Sequence, residues 1–445
     1  MGWTEEFLVD AYVFGYPLVY NVSSMQAIAT HGLGSLPPSG INRFAHATKL
    51  GSPEDTFVSI NNDTVYAIAV LDLSGGPLLL HVPDTDGRYY VLQFVDAWTN
   101  NFAYVGRRAT GTAEGTFLIA PPGWSGTAPD GVPVIPSPTD LAAIVGRIAV
   151  DGEDDLPAVA ALQPQFTLTP LDGNGPLRGI PQPHGEIPEH LRFWELLRAW
   201  SLAFPPAKAD VDYLHRFADY GLTARGNPYG VVARDQEEHL ANAFVEGRNR
   251  VEDLSKPDPA AAVNGWQAWP HGFDYNVDYL GPGTIDAPEW RIADRATAYT
   301  TRARAARNGL WGNHGFEAVY AEVFVDSEGR RLDGSHAYEL HLTELPPADA
   351  FWSITMYSVP DFYLVENPIE RYSIGDRTPG LVTGEDGSLV IRMQRERPDD
   401  EAAAANWLPT PEGPFRPMLR VYQPRAEMID GTFVMPAITR VPSAG

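Results

Sequence analysis

The feature that most constrains this chain is the texture of its C-terminal quarter. Short aromatic and apolar runs alternate with turn-forming clusters. Ala350-Phe351-Trp352-Ser353-Ile354-Thr355-Met356-Tyr357 is followed by Asn367-Pro368, Arg371-Tyr372-Ser373, Asp386-Gly387-Ser388, Asn406-Trp407-Leu408-Pro409 and Leu419-Arg420-Val421-Tyr422. Aromatic and β-branched residues suit a half-buried pleated surface, and the Asn, Asp, Gly and Pro clusters supply tight turns. Such a chain folds into short antiparallel strands. The 41 glycines and 40 prolines agree, because a helical bundle has little use for so many turn residues.

Length and charge narrow the class further. The 445 residues leave room for two or three domains. A net charge of −25 repels nucleic acid and anionic membranes. Without cysteine there is no disulfide, thiolate nucleophile or thiolate metal site. The start, Met1-Gly2-Trp3-Thr4-Glu5-Glu6, is acidic where a signal peptide is basic, and no apolar run reaches membrane-span length. The expectation is a soluble cytoplasmic protein, or one whose export signal has been trimmed.

Along the chain, Thr4 caps an opening helix over residues 4 to 30, which Pro17 should kink or end. Thr64 to Leu73, Pro77 to Val82, Arg88 to Asp96, Thr116 to Ala120 and Val132 to Ile135 read as strands. Helices are expected over Asp140 to Val150 (capped by Thr139), Pro188 to Ala203, Asp210 to Tyr220, Val231 to Leu254 and Asp286 to Asn308. Strands return at Glu317 to Asp326, His336 to Thr343, Phe351 to Tyr357, Leu389 to Gln394 and Met418 to Tyr422. The fold class is mainly β with helices, α+β: two antiparallel β-sandwich or jelly-roll-like units joined by a helical region. The units are an N-terminal one over 1–170, a helical connector over 171–312 and a C-terminal one over 313–445. The two sandwiches can be related, but their motifs do not align by eye.

These motifs carry a family likeness. The first half has Tyr12-x-x-Gly15-Tyr16-Pro17, Asn61-Asn62-Asp63-Thr64-Val65-Tyr66, Arg88-Tyr89-Tyr90, Asp96-x-x-Thr99-Asn100, Gly106-x-Arg108 and Ser137-Pro138-Thr139. The second has Asn313-x-x-x-Glu317-Ala318-x-Tyr320, Phe351-Trp352-Ser353, Asn367-Pro368, Arg371-Tyr372 and Asn406-Trp407-Leu408-Pro409. In that order they resemble the bacterial two-part family of domains of unknown function 1254 (N-terminal) and 1214 (C-terminal). The resemblance implies two jelly-roll-like units with helices between them and a homo-oligomer; it implies no particular activity. One departure is that Asn62 stands where the family pattern has a cation.

Each candidate group has two readings. Asn61-Asn62-Asp63-Thr64 is either an Asx-turn or the edge of a cleft in which Asp63 is a general base beside Asn62 and Tyr66. Arg88, Tyr90 and Asp96 share a strand face by the period of two, as a sandwich core with polar ends or as a pocket wall. His314 and Glu317 could pair on a metal, but two ligands are not a site. Arg371 with Tyr372, and Asn406 with Trp407, are structural braces or the wall of an aromatic pocket. Gly-x-Ser-x-Gly, phosphate-loop and dinucleotide fingerprints are missing from the sequence.

The expectation is an enzyme acting on a small, partly apolar organic molecule in a cleft between β units and helices. Asp63, Tyr66 and Asp96 would supply acid–base chemistry for hydrolysis, elimination or isomerisation. Asn62, Arg88, Tyr90, Glu317, Tyr320, Arg371, Tyr372, Asn406 and Trp407 would bind substrate, with no cofactor and no metal. The alternative is a non-catalytic protein that binds a carbohydrate or aromatic ligand. Amides and aromatics in both halves suit a neutral ligand better than a charged one.

Overall fold

The structure, a computed structural model, describes residues 5–56, 58–173, 175–183, 187–285, 287–292 and 294–442. Thr4, the expected cap of the first helix, lies outside them. Within them the strands are β1 (Phe44–His46), β2 (Thr64–Asp72), β3 (Leu78–Val82), β4 (Tyr90–Asp96), β5 (Asn101–Gly106), β6 (Gly115–Ala120), β7 (Val134–Pro136), β8 (Leu141–Ala149) and β9 (Thr167–Pro170). The second set is β10 (Trp266–Ala268), β11 (Ala318–Val323), β12 (Tyr338–Leu342), β13 (Ala348–Ser358), β14 (Ser373–Gly375), β15 (Leu389–Gln394), β16 (Trp407–Pro409), β17 (Phe415–Pro424) and β18 (Thr439–Arg440). The helices are α1 (Glu5–His31), α2 (Leu156–Leu162), α3 (Arg192–Ala203), α4 (Lys208–His215), α5 (Arg234–Ser255), α6 (Arg295–Gly309), α7 (Glu401–Ala405) and α8 (Ala426–Ile429).

The strands form two copies of one plan, which makes an α+β protein. The first unit has a five-stranded sheet ordered β1-β2-β8-β4-β5 and a four-stranded sheet ordered β7-β6-β3-β9. The second has β10-β11-β17-β13-β14 and β16-β15-β12-β18. Adding nine to each label of the first unit yields the second. The pairing senses repeat as well: β6 with β7 and β15 with β16 are parallel, the other ladders antiparallel. In the second unit Ile354, Met356 and Val421 of one sheet meet Leu340, Ile391 and Met393 of the other in one core. The first unit does the same with Phe94, Ile144 and Ile148 against Leu80 and Ile119.

Two helix expectations are corrected and the reading of Pro17 is narrowed. Residues 140–150 are not a helix but β8, an inner strand buried at every position. Leu-Ala-Ala-Ile-Val-Gly-Arg-Ile-Ala is apolar on both faces because both faces are covered, and a short apolar run has no period to tell strand from helix. Thr139 caps nothing there: its Oγ1 accepts the Ala97 N–H and donates to the Leu141 carbonyl. Pro17 does not end α1, which runs on to His31 with Phe14, Pro17 and Leu18 buried. Packing against α3, α5 and α6 outweighs the one backbone hydrogen bond that proline removes. Finally, α6 starts at Arg295, where the Asp294 carboxylate accepts the Thr297 N–H at 2.8 Å. The expected start at Asp286 lies outside the described residues.

Among the described residues, no helix is long and apolar enough to cross a membrane.

Candidate ligand site between the two sheets

The two five-stranded sheets meet face to face. Tyr89, Val91, Tyr104 and Ala149 of the first share an apolar cluster with Ala318, Phe351 and Tyr422 of the second. Beside this cluster the seam turns polar, and strand register explains which groups gather. On the first sheet Tyr66, Arg147 and Val91 stand side by side across β2, β8 and β4. On the second, Tyr320, Arg420 and Ser353 stand side by side across β11, β17 and β13. In both units an arginine on the middle strand therefore has a tyrosine on the same neighbour.

The contacts of the two arginines match. Arg147 donates from Nη1 to Gln93 Oε1 at 3.0 Å, two residues beyond Val91 on β4, and from Nη2 to the Trp311 carbonyl at 2.8 Å. Arg420 donates from Nη1 to Thr355 Oγ1 at 3.0 Å, two residues beyond Ser353 on β13, and from Nη2 to the Ser59 carbonyl at 2.7 Å. Each thus reaches the segment that leads into the other unit. Both side chains are buried, and neither guanidinium has a carboxylate within ion-pair distance among the described residues.

The carboxylates nearby are engaged elsewhere, again in matched fashion. Asp63, three residues before Tyr66, accepts the Ser353 Oγ proton at 2.7 Å. Glu317, three residues before Tyr320, accepts the Tyr89 Oη proton at 2.7 Å. Burial raises the Glu317 pKa to about 7, with Tyr89, Arg108 and Arg147 opposing the rise. Glu322 is held by Arg416 at 2.6 Å.

The tyrosines are oriented by amides. Asn61 Oδ1 accepts the Asp63 and Thr64 N–H groups, which turns its Nδ2 onto the Tyr66 hydroxyl at 3.0 Å. Asn313 Oδ1 faces Arg147 Nη1 at 3.3 Å, and its Nδ2 donates to the Tyr320 hydroxyl at 3.1 Å. Each hydroxyl accepts, and among the described residues neither proton is given to a protein acceptor. Tyr66, Arg147, Tyr320 and Arg420 line a cavity of about 100 Å³ with Trp311 and Tyr422. Trp311 is fixed from behind, its Nε1 donating to Asn21 Oδ1 of α1 at 2.7 Å.

A second cavity, of about 450 Å³, lies across the Asn61–Asp63 segment. Asn62, Asp63, Ser353, Arg371, Tyr372 and Arg377 border it. The seam is strapped there and at the matching end. Arg377 donates to the Asp63 and Val150 carbonyls at 3.0 and 3.2 Å. Arg108 donates to the Phe316 and Pro424 carbonyls at 2.7 and 2.9 Å. Both arginines closely follow a glycine that extends the row on the next strand: Gly106 pairs Val91 and Gly375 pairs Ser353. A Cβ on Gly106 would lie 2.4 Å from the Tyr90 carbonyl oxygen, and one on Gly375 2.1 Å from that of Trp352.

The residues singled out from sequence separate accordingly. Tyr66 and Tyr320 line the first cavity, Asn62, Asp63, Arg371 and Tyr372 the second, and Glu317 bridges the seam. Asp96 does not share a cleft with Asp63 and Tyr66. It is fully buried and accepts the Trp98 and Asn100 N–H groups at 2.9 and 2.8 Å, so it builds a turn. Tyr90 lies on the sandwich-core face of β4, edge-on to Phe166. Arg88 is spent on a two-pronged pair with Asp155 at 2.5 and 2.7 Å. Asn406 clasps the backbone of Val382 through both ends of its amide. Trp407 is buried with its Nε1 on the Gln394 carbonyl, and Arg371 Nη1 is tied to the Ala405 and Trp407 carbonyls. These are braces rather than walls of the first cavity. Glu317, paired with His314 in the metal reading, is engaged by the Tyr89 hydroxyl, and no group of three His, Asp or Glu side chains converges among the described residues. Sequence reading missed Arg147 and Arg420, whose neighbours come from strand register, and Trp311, which Asn21 of α1 holds in place; Asn61 entered only as part of its turn segment.

Comparison with known proteins places the fold. The chain is similar to the VPA0106 protein from Vibrio parahaemolyticus, a solved structure, with 25% identity over 98% of this chain and 100% of that one, and a TM-score of 0.71. An uncharacterized protein from Burkholderia cenocepacia matches with 11% identity, over 98% of this chain and 94% of that one, at a TM-score of 0.46. No curated protein matches. One family model, "Protein of unknown function (DUF1254)", matches residues 41–170, the first strand set, and another, "Protein of unknown function (DUF1214)", matches 317–426, most of the second. The chain therefore belongs to the two-part family that joins these N-terminal and C-terminal domains.

Proposed function

We propose that the cavity between the sheets binds a small organic acid. The observation that carries this reading is the hydrogen-bond polarity of the facing rows. Tyr66 and Tyr320 already accept amide protons, so each hydroxyl keeps its own proton to give to a ligand. Arg147 and Arg420 add buried positive charge without a contacting carboxylate. Buried charge is costly unless paired, and an anion supplies the pairing. Trp311 and Tyr422 give the acid's carbon skeleton an apolar surface. A neutral ligand fits this lining less well, because it leaves both guanidinium groups unmatched.

A catalytic reading uses the same geometry. A tyrosine that accepts from an amide and donates to the ligand is placed as a general acid. Turnover would then depend on Tyr66 or Tyr320, whereas binding alone would survive in either phenylalanine variant with reduced affinity. The test is calorimetry of the full chain against a panel of short carboxylic acids, with product analysis of each mixture. Micromolar to millimolar binding that disappears in Arg420→Met supports the reading, and no heat with any acid overturns it.

A further inference from the structure

We infer that the ligand carries two anionic groups, as a short dicarboxylate does. This rests on the organic-acid reading and adds the number and spacing of charges. The cavity lies where two units of one topology face each other, so its polar groups come in equivalent pairs. Tyr66 with Arg147 and Tyr320 with Arg420 occupy the same register positions of their sheets. Each arginine makes the same two kinds of contact, to the next residue on the same face of its neighbouring strand and to a carbonyl of the segment entering the opposite unit. Each carboxylate that precedes a tyrosine is turned away onto a hydroxyl from the other unit.

A single carboxylate seated at one Tyr–Arg pair leaves the equivalent pair unmatched. A molecule with a carboxylate at each end satisfies both. The space sets its length. The cavity holds about 100 Å³, somewhat less than the roughly 150 Å³ that accommodates benzene, which suits a chain of about four carbons.

The experiment compares succinate and glutarate with butyrate and valerate on the full-length protein by calorimetry. The expected result is at least tenfold tighter binding of one dicarboxylate than of the monocarboxylate of the same length. Arg147→Met and Arg420→Met should each abolish that preference. Should either variant fold poorly, Tyr66→Phe and Tyr320→Phe serve instead, and each should weaken dicarboxylate binding several-fold to a similar extent. Equal binding of mono- and dicarboxylates overturns the inference and leaves the organic-acid reading standing. The same holds if only one of the paired variants matters. No binding by either class overturns both.

Discussion

Tyr89 and Glu317, 228 residues apart, meet across the seam, the phenol donating to the carboxylate at 2.7 Å. Both side chains are buried, and burial holds the Glu317 pKa near 7 against an ordinary value of 4.5. The folded state therefore binds this proton more tightly than the unfolded chain. The resulting stabilisation is complete below the unfolded pKa and is lost as pH rises through 7. Denaturant melts at several pH values should show wild type losing about 3 kcal/mol over this window relative to Glu317→Gln. Parallel pH curves for the two proteins would contradict this assignment.

Asp96 serves the turn after β4 and should have no part in ligand binding. Replacing it by alanine leaves the Trp98 and Asn100 N–H groups unmet inside the core. The expected cost is about 2–4 kcal/mol, read as a lower thermal midpoint. Affinity per folded molecule should be unchanged. A stable Asp96→Ala protein without binding would return Asp96 to the site.

Arg108 and Arg377 strap the two ends of the seam, each to two carbonyls of the opposite unit. Methionine at either position should cost about 1–3 kcal/mol in urea unfolding. The straps bind different segments, so the double variant should lose close to the sum. A strongly sub-additive result would mean that the seam opens once either strap is cut.

Gly247 of α5 lies against Tyr12 of α1, and a Cβ there would fall 2.4 Å from the tyrosine Cγ and 2.5 Å from its Cβ. Atoms so near the backbone cannot swing away. Gly247→Ala should therefore lower stability by about 1–3 kcal/mol despite alanine's better helix propensity. A stabilised variant would show that α5 is free to shift.

Where one face of a strand is open or its ends carry turn residues, the sequence declares it, as with β15 at Leu389–Gln394. Helix α5 was equally plain from its charged outer face. The inner strand β8 was hidden because coverage on both sides erased its alternation. The internal duplication was hidden for another reason: equivalent positions carry different residues. Asp63 answers Glu317, Gln93 answers Thr355, and Tyr89 answers Phe351. The trace that survives is short, Gly106-Arg107-Arg108-Ala109-Thr110 against Gly375-Asp376-Arg377-Thr378. In both, the threonine Oγ1 accepts the glycine N–H, at 3.1 and 2.9 Å. Tyr66 and Tyr320 were visible as conspicuous aromatics beside amides. Arg147 and Arg420 were not, since nothing local marks a strand arginine as facing a cavity.

Strand β17, which carries Arg416 and Arg420, lies between β11 and β13 although both precede it in the chain. During synthesis the second five-stranded sheet has a gap at its middle until residues 415–424 leave the ribosome. Until then Ser59, made long before, waits for the Arg420 guanidinium that anchors its carbonyl. A nascent chain therefore holds half a pocket for most of its translation. Were the cavity to bind an acid as proposed, binding would have to wait until β17 is in place.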